Sequence, residues 1–192
     1  MIGTNPIAIA VPTAGRPLVL DLATSTVSMG KIRHHAASGR PIPEGWARDR
    51  DGQPTTDAER AKTGSIAPFG EAKGYGLGLA IELLVASLAG SALAPDVRGT
   101  LDAEAICNKG DVLIVIQAMA APGVAEDLSR YLDAVRHSPP SEAGRPVAVP
   151  GDGAAMRRQA ALSEGFEVEP ELWDTLNSLS FSTSSVLEGH SF

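Results

Sequence analysis

Phe69-Gly70-Glu71-Ala72-Lys73-Gly74-Tyr75-Gly76-Leu77-Gly78-Leu79-Ala80-Ile81-Glu82-Leu83-Leu84 is a glycine-rich loop that runs straight into an apolar helix, with a lysine at the junction. Helix N-termini carry unpaired N–H groups and a partial positive charge, so a cation there is locally disfavoured. Lys73 makes sense if an anion such as a phosphate or carboxylate sits at that end. The plainer reading is a buried helix whose Gly70, Gly74, Gly76 and Gly78 permit close backbone packing, with Lys73 reaching out to solvent. The helix is expected from about Lys73 to Ala89.

Outward from this segment, the pattern alternates strands and helices. Pro6 to Val11 and Leu18 to Leu22 read as buried strands, separated by a turn at Thr13-Ala14-Gly15-Arg16-Pro17. The small polar run Thr24-Ser25-Thr26 can cap a helix from about Val27 to Ala37. Residues 39–69 are rich in proline, glycine and charge and read as a mostly irregular arm, with a short helix begun by Thr56-Asp57-Ala58-Glu59. Asp111 to Gln117 reads as a buried central strand by its β-branched run. Gly123 to Arg136 is amphipathic, with Val124, Leu128, Leu132 and Val135 on one face. A short strand is expected at Pro146–Val149, a helix from Pro150 to about Glu164, a last helix at Pro170–Leu179, and a flexible tail over 180–192. The class is α/β, or α+β with a mixed sheet, in one domain over 1–179.

Composition narrows the functional classes. The chain has 192 residues, 43% of them hydrophobic but only 4% aromatic, so aliphatic side chains must build the core. A net charge of −7 argues against a nucleic-acid partner. The single cysteine, Cys107, excludes a disulfide within the chain and a cysteine zinc cluster, and fits a reducing compartment. The N-terminal run lacks the basic flank of a signal peptide, and the apolar stretch Leu77 to Leu88 contains Glu82 and is too short for a bilayer. A soluble, cytoplasmic protein is expected. The chain opens almost directly on a strand, as an ordinary first strand or the cut edge of a longer protein.

Three segments can meet a nucleotide. In Asp21-Leu22-Ala23-Thr24-Ser25, at the end of a buried strand, small residues let a ligand approach the backbone. Asp21 can accept ribose hydroxyls there, and Thr24 and Ser25 can donate to phosphate; an N-cap cluster is the alternative. Ala72-Lys73 is the second. Gly151-Asp152-Gly153 opens a helix near Arg157 and Arg158, but Met156 stands where the third glycine of a Rossmann fingerprint belongs, so that fold is rejected. His34, His35 and His137 sit late in helices and His190 in the tail; none has an orienting carboxylate, so no general acid or base is nominated. No metal site is expected.

Four ordered blocks resemble one family. They are Gly3-Thr4-Asn5-Pro6; Leu20-Asp21-Leu22-Ala23-Thr24-Ser25 with Met29-Gly30-Lys31-Ile32; Pro43-Glu44-Gly45-Trp46 with Asp51-Gly52 and Pro54-Thr55-Thr56-Asp57; and Lys73-Gly74-Tyr75-Gly76-Leu77 with Glu82-Leu83-Leu84. Val149-Pro150-Gly151 is similar to the family's Pro-Gly-Glu block. The family is the second type of malate/lactate dehydrogenase, with sulfolactate and ureidoglycolate dehydrogenases and cyclic imino-acid reductases among its members. The resemblance implies a non-Rossmann mixed-sheet fold truncated at its N-terminus. It also implies a homodimer and an NAD- or NADP-dependent oxidoreductase of 2-hydroxy and 2-keto acids. Cofactor contacts are implied at Asp21, Leu22, Ala23, Thr24, Ser25, Thr26 and Val27, at Ala72 and Lys73, and at Gly151, Asp152 and Gly153. The family more often has Gly-Gly-His-Lys where Gly70-Glu71-Ala72-Lys73 stands. In its imine reductases an acidic residue assists catalysis near the position of Lys31; lysine here, a candidate near the site, favours a hydroxy-acid dehydrogenase. The family's catalytic histidine, in a Ser-His-Gly context, lies in an N-terminal half that this chain lacks, so the chain alone is expected to be inactive. A non-catalytic nucleotide-binding or dimerisation module, and a decayed remnant, are the competing readings.

Overall fold

The computed structural model describes residues 3–100, 104–117 and 121–187. The chain forms two compact units, Met1–Gly151 and Asp152–Phe192. In the first, β1 (Ile7–Val11) and β2 (Leu18–Leu22) make an antiparallel ribbon in which Ala8 faces Asp21 and Val11 faces Leu18. The ribbon is not the buried pair expected: Ile9 and Val19 are more than two-fifths exposed. A two-stranded ribbon buries side chains only where another layer covers it. Here its turn rests on a helix, Ala14 N–H donating to the Ala125 carbonyl.

The core sits where an irregular arm was expected. Helix α1 (Met29–Ala37) starts at Ser28, whose hydroxyl accepts from Lys31 N–H. Strand β3 (Ala47–Arg48) pairs antiparallel with both β4 (Pro54–Thr55) and β5 (Ser65–Ile66), and α2 (Ala58–Lys62) is capped by Asp57. Asp57 accepts from Glu59 and Arg60 N–H, so the cap lies one residue later than the Thr56 of the expected box. Val27, Ile32, Ile42, Ala47, Ala58 and Ala61 form one buried cluster, flanked by Met29, Trp46 and Ile66. Complete burial of Ile32 alone contributes about 1.5–3 kcal/mol.

Asp49 locks this unit from within. Its buried carboxylate accepts from Asp51 and Gln53 N–H and from the Arg60 guanidinium. Gly64 is required beside it: a Cβ there would lie 1.9 Å from the Arg48 carbonyl oxygen.

Helix α3 (Ala72–Ala89) begins after Gly70 and Glu71, both at positive φ (53° and 52°), and ends on Gly90 in the left-handed conformation. Eighteen residues long, it exceeds the expected apolar run and by length and composition alone meets the requirement for a bilayer crossing. Within it Glu82 accepts from Asn5 Nδ2 at 2.8 Å and from Ala94 N–H at 2.8 Å. Helix α4 (Val124–Arg136) has the expected face, with Val124, Leu128, Leu132 and Val135 all half-buried.

Two expected strands are absent. Residues 111–117 have no ladder partner among the described residues, and Leu113, Ile114, Val115 and Ile116 are 75–95% exposed. A β-branched run becomes a strand only through hydrogen bonds to a neighbour. Residues 146–149 are likewise outside any strand; the Pro150 carbonyl accepts a single bond from Val19 N–H. The described strand pairs, in two small sheets, are antiparallel. The second unit holds α5 (Asp152–Glu164) and α6 (Pro170–Leu187), the latter running past Ser180, where the tail was expected to begin.

Candidate functional site

After β2 the chain turns inward at Thr24, which is 2% exposed. Its N–H and hydroxyl both donate to the Thr4 carbonyl (2.8 and 3.0 Å), and its own carbonyl accepts from Phe69 N–H at 3.1 Å. Thr26 N–H donates to the Ala67 carbonyl at 2.8 Å, and Ser25 forms a bridge with Pro68. Asn5, beside Thr4, donates from Nδ2 to the Gly78 carbonyl as well as to Glu82. The Thr24–Val27 segment is thereby fixed against the loop that leads into α3.

Between them lies a cavity of about 290 Å³, lined by Gly3, Thr24, Ser25, Arg48, Ser65, Ile66, Ala67, Pro68, Gly74 and Tyr75. Of the three expected segments it takes in only Thr24 and Ser25; Ala72 and Lys73 do not line it, although the next residues, Gly74 and Tyr75, do. A wider hollow of about 410 Å³ between α1 and α2, lined by Arg40, Asp57 and Glu59 among others, contains none of them.

The chemistry of the lining differs from the expectation in two respects. The hydroxyls of Thr24 and Ser25 donate to the carbonyls of Thr4 and Val27, so their oxygens are presented as acceptors. That suits a ribose hydroxyl better than a phosphate. At the start of α3, Lys73 and Gly74 N–H are taken by the carbonyls of Gly70 and Phe69. An anion near this helix end would therefore rely on the Lys73 ammonium, which is exposed and has no carboxylate partner among the described residues.

The remaining site residues divide. Asp21 is exposed on β2, Leu22 and Ala23 are half-buried, Thr26 is exposed and Val27 joins the core; Ala72 is exposed beside Lys73. Gly151, at φ 97°, packs on β2, and a Cβ there would lie 3.1 Å from Val19. Asp152 is buried and Gly153 half-buried where the second unit begins. Lys31 lies over the Trp46 ring, 5.1 Å from its centroid, and does not line the cavity. None of the described histidines lines it either. His35 packs edge-on against Trp46, His34 meets the Arg40 guanidinium, and His137 meets the Asp133 carbonyl. His190 lies outside the described residues. Among the described residues no group of three histidine, cysteine or acidic side chains could hold a metal ion.

Arg48 and Ser65 line the cavity but were not among the expected site residues. They face each other across β3 and β5. Two-residue strands carry no periodic signal, so no sequence pattern brings them together.

The chain is 39% identical over 182 residues to the L-sulfolactate dehydrogenase of Methanocaldococcus jannaschii, covering 93% of this chain and 52% of that protein. It is 54% identical over 90 residues to the (2R)-3-sulfolactate dehydrogenase (NADP(+)) of Chromohalobacter salexigens, covering 46% of this chain and 27% of that protein. A dehydrogenase from Sinorhizobium meliloti of known crystal structure superposes with a TM-score of 0.87 at 60% identity, over 93% of this chain and 53% of that one. The chain spans about half the length of the curated relatives it matches. The family profile described as malate/L-lactate dehydrogenase matches residues 1–177, and the chain belongs to that family, with its α/β fold.

Proposed function

We propose that this chain is the dinucleotide-binding part of an NAD(P)-dependent oxidoreductase of 2-hydroxy and 2-keto acids. The observation that carries the reading is the cavity joining Thr24–Ser25 to Gly74–Tyr75. Its lining fits a nucleotide. Thr24 and Ser25 offer acceptors for ribose hydroxyls, Arg48 offers a charged donor, and the backbone of Gly3, Ala67 and Gly74 allows close approach. Lys73, next to Gly74 in the chain, is a second cation for the cofactor. When bound, the nicotinamide group supplies or accepts the hydride.

No histidine among the described residues lines the cavity, and on this reading the proton donor belongs to a part of the enzyme that is not in this chain. General acid–base help is worth roughly 10²–10⁴-fold, and the chain alone is expected to bind cofactor without turning over a keto acid. The sulfolactate dehydrogenases it resembles support a small anionic hydroxy acid as substrate. Reduction of a cyclic imino acid stands second, since Lys31 rather than an acidic residue occupies α1 and is stacked on Trp46. A cytoplasmic homodimer without membrane or nucleic-acid partners completes the proposal.

Fluorescence titration of the chain with NADH and NADPH tests it. Saturable binding of at least one is expected; failure of both to bind removes the proposal, and turnover of pyruvate, oxaloacetate or sulfopyruvate by the chain alone removes the claim about the proton donor.

A further inference from the structure

Among the described residues, Arg48 is the one charged residue that lines the cavity. One of its N–H groups donates to the Gly52 carbonyl at 2.8 Å, and no carboxylate lies within ion-pair distance of it among the described residues. Its neighbour Asp49 does not neutralise it, because that carboxylate is buried and engaged by Arg60, Asp51 N–H and Gln53 N–H. Directly opposite Arg48 on β5 is Ser65. Cross-strand partners of an antiparallel pair have Cβ atoms about 4.5–5.5 Å apart, so the guanidinium and the hydroxyl can converge on one group. The absence of a side chain at Gly64 holds the two strands at this spacing, since a Cβ there would lie 1.9 Å from the Arg48 carbonyl oxygen. The acceptor oxygens of Thr24 and Ser25 line the same cavity.

Such a cavity is two-sided: neutral acceptors from Thr24 and Ser25, and an uncompensated cation with a hydroxyl from Arg48 and Ser65. Guanidinium groups pair with phosphate oxygens through two parallel N–H donors, and such charge-assisted bonds are about twice as strong as neutral ones. A ribose that carries a phosphate monoester satisfies both sides at once. We propose that Arg48 and Ser65 form a receptor for the 2′-phosphate of a nicotinamide dinucleotide and make the chain selective for NADPH over NADH. This rests on the reading of the cavity as the cofactor site.

The test is titration of NADPH and NADH into the full chain and into R48A, R48Q, R48K and S65A, with thermal unfolding of each. R48Q removes the charge and leaves a shorter amide, and thermal unfolding of each variant separates loss of the receptor from loss of the Gly52 contact. The unaltered chain is expected to bind NADPH at least tenfold more tightly than NADH. R48A and R48Q each weaken NADPH by about tenfold or more and leave NADH within twofold; R48K loses less, and S65A a fewfold. Equal losses for both cofactors would assign Arg48 to the shared pyrophosphate and overturn the proposal, as would an unchanged preference in R48A and R48Q. Failure of the unaltered chain to bind either cofactor would overturn the reading of the cavity itself.

Discussion

Replacing Gly74 with alanine places a methyl carbon 2.1 Å from the Phe69 carbonyl oxygen, 2.9 Å from its nitrogen and 3.0 Å from its carbonyl carbon. Ordinary contact begins near 3.4 Å, so the backbone of α3 must retreat from Phe69 by about 1.3 Å. The opposing atoms are backbone and cannot swing aside. Overpacking of this kind costs about 1–3 kcal/mol, and the retreat also breaks the 3.0 Å bond from Gly74 N–H to the Phe69 carbonyl, worth about 1 kcal/mol. Together G74A should lose about 2–4 kcal/mol. Gly76, two residues along the same helix, has nothing within 4 Å of a new Cβ, so G76A should gain about 0.5–1 kcal/mol from helix propensity. Urea unfolding followed by Trp46 fluorescence in a W173F background measures the pair. G74A also moves one wall of the 290 Å³ cavity and should weaken dinucleotide binding by about tenfold, since a displacement of about 1 Å can cost up to 10². If G74A is as stable as G76A, the close approach of α3 to Phe69 is wrong and the geometry of the cavity falls with it.

Glu71 holds φ 52° without capping α3 through its side chain, so E71G should stabilise the chain by about 1 kcal/mol, the strain relieved exceeding the entropy glycine adds; a lower urea midpoint for E71G would contradict this. D49A strands two backbone donors and should cost about 2–3 kcal/mol, the exposed Arg60 adding little, whereas D49N keeps an acceptor and should cost about 1 kcal/mol; equal midpoints for the two variants would refute the role given to the carboxylate. A double-mutant cycle on N5A and E82A should give a coupling of at least about 0.5 kcal/mol through the 2.8 Å bond, and strict additivity would show the bond to be idle. K31A should shift Trp46 emission and cost about 0.5–1 kcal/mol while leaving cofactor affinity within twofold; a large affinity loss would return Lys31 to the site.

Elements whose signal is local are legible in the sequence. The α4 face is one, because Val124, Leu128, Leu132 and Val135 repeat at helical spacing. Thr24–Ser25 and Ala72–Lys73 stand out as candidates because small residues follow a strand and glycines open a helix, but only Thr24 and Ser25 line the cavity. The 39–69 segment reads as irregular because its strands are two residues long and its turns are rich in glycine and proline, yet tertiary pairing makes it part of the core. Residues 111–117 mislead in the opposite direction. Val112 to Ile116 have every local attribute of a central strand, but the neighbours that would make one are not among the described residues. Arg48 becomes visible only when β3 and β5 place it opposite Ser65.

The Gly-Gly-His-Lys that the family more often carries also gains a physical meaning. Its second glycine corresponds to Glu71, at a backbone conformation that side-chain-bearing residues seldom adopt. The departure from the family pattern therefore costs this chain backbone strain at Glu71, in addition to the imidazole that Ala72 does not supply.

The buried cluster from Val27 to Ala61 joins residues close together along the chain. Contacts of such short range form quickly, because little loop entropy is lost in closing them. During synthesis, at about 5–20 residues per second, this module can fold before α3 and the exposed 112–116 run have been made. The order of translation thus shields the nascent core from its own stickiest ribbon, and a circular permutant that delivers residues 104–117 first would forfeit that protection.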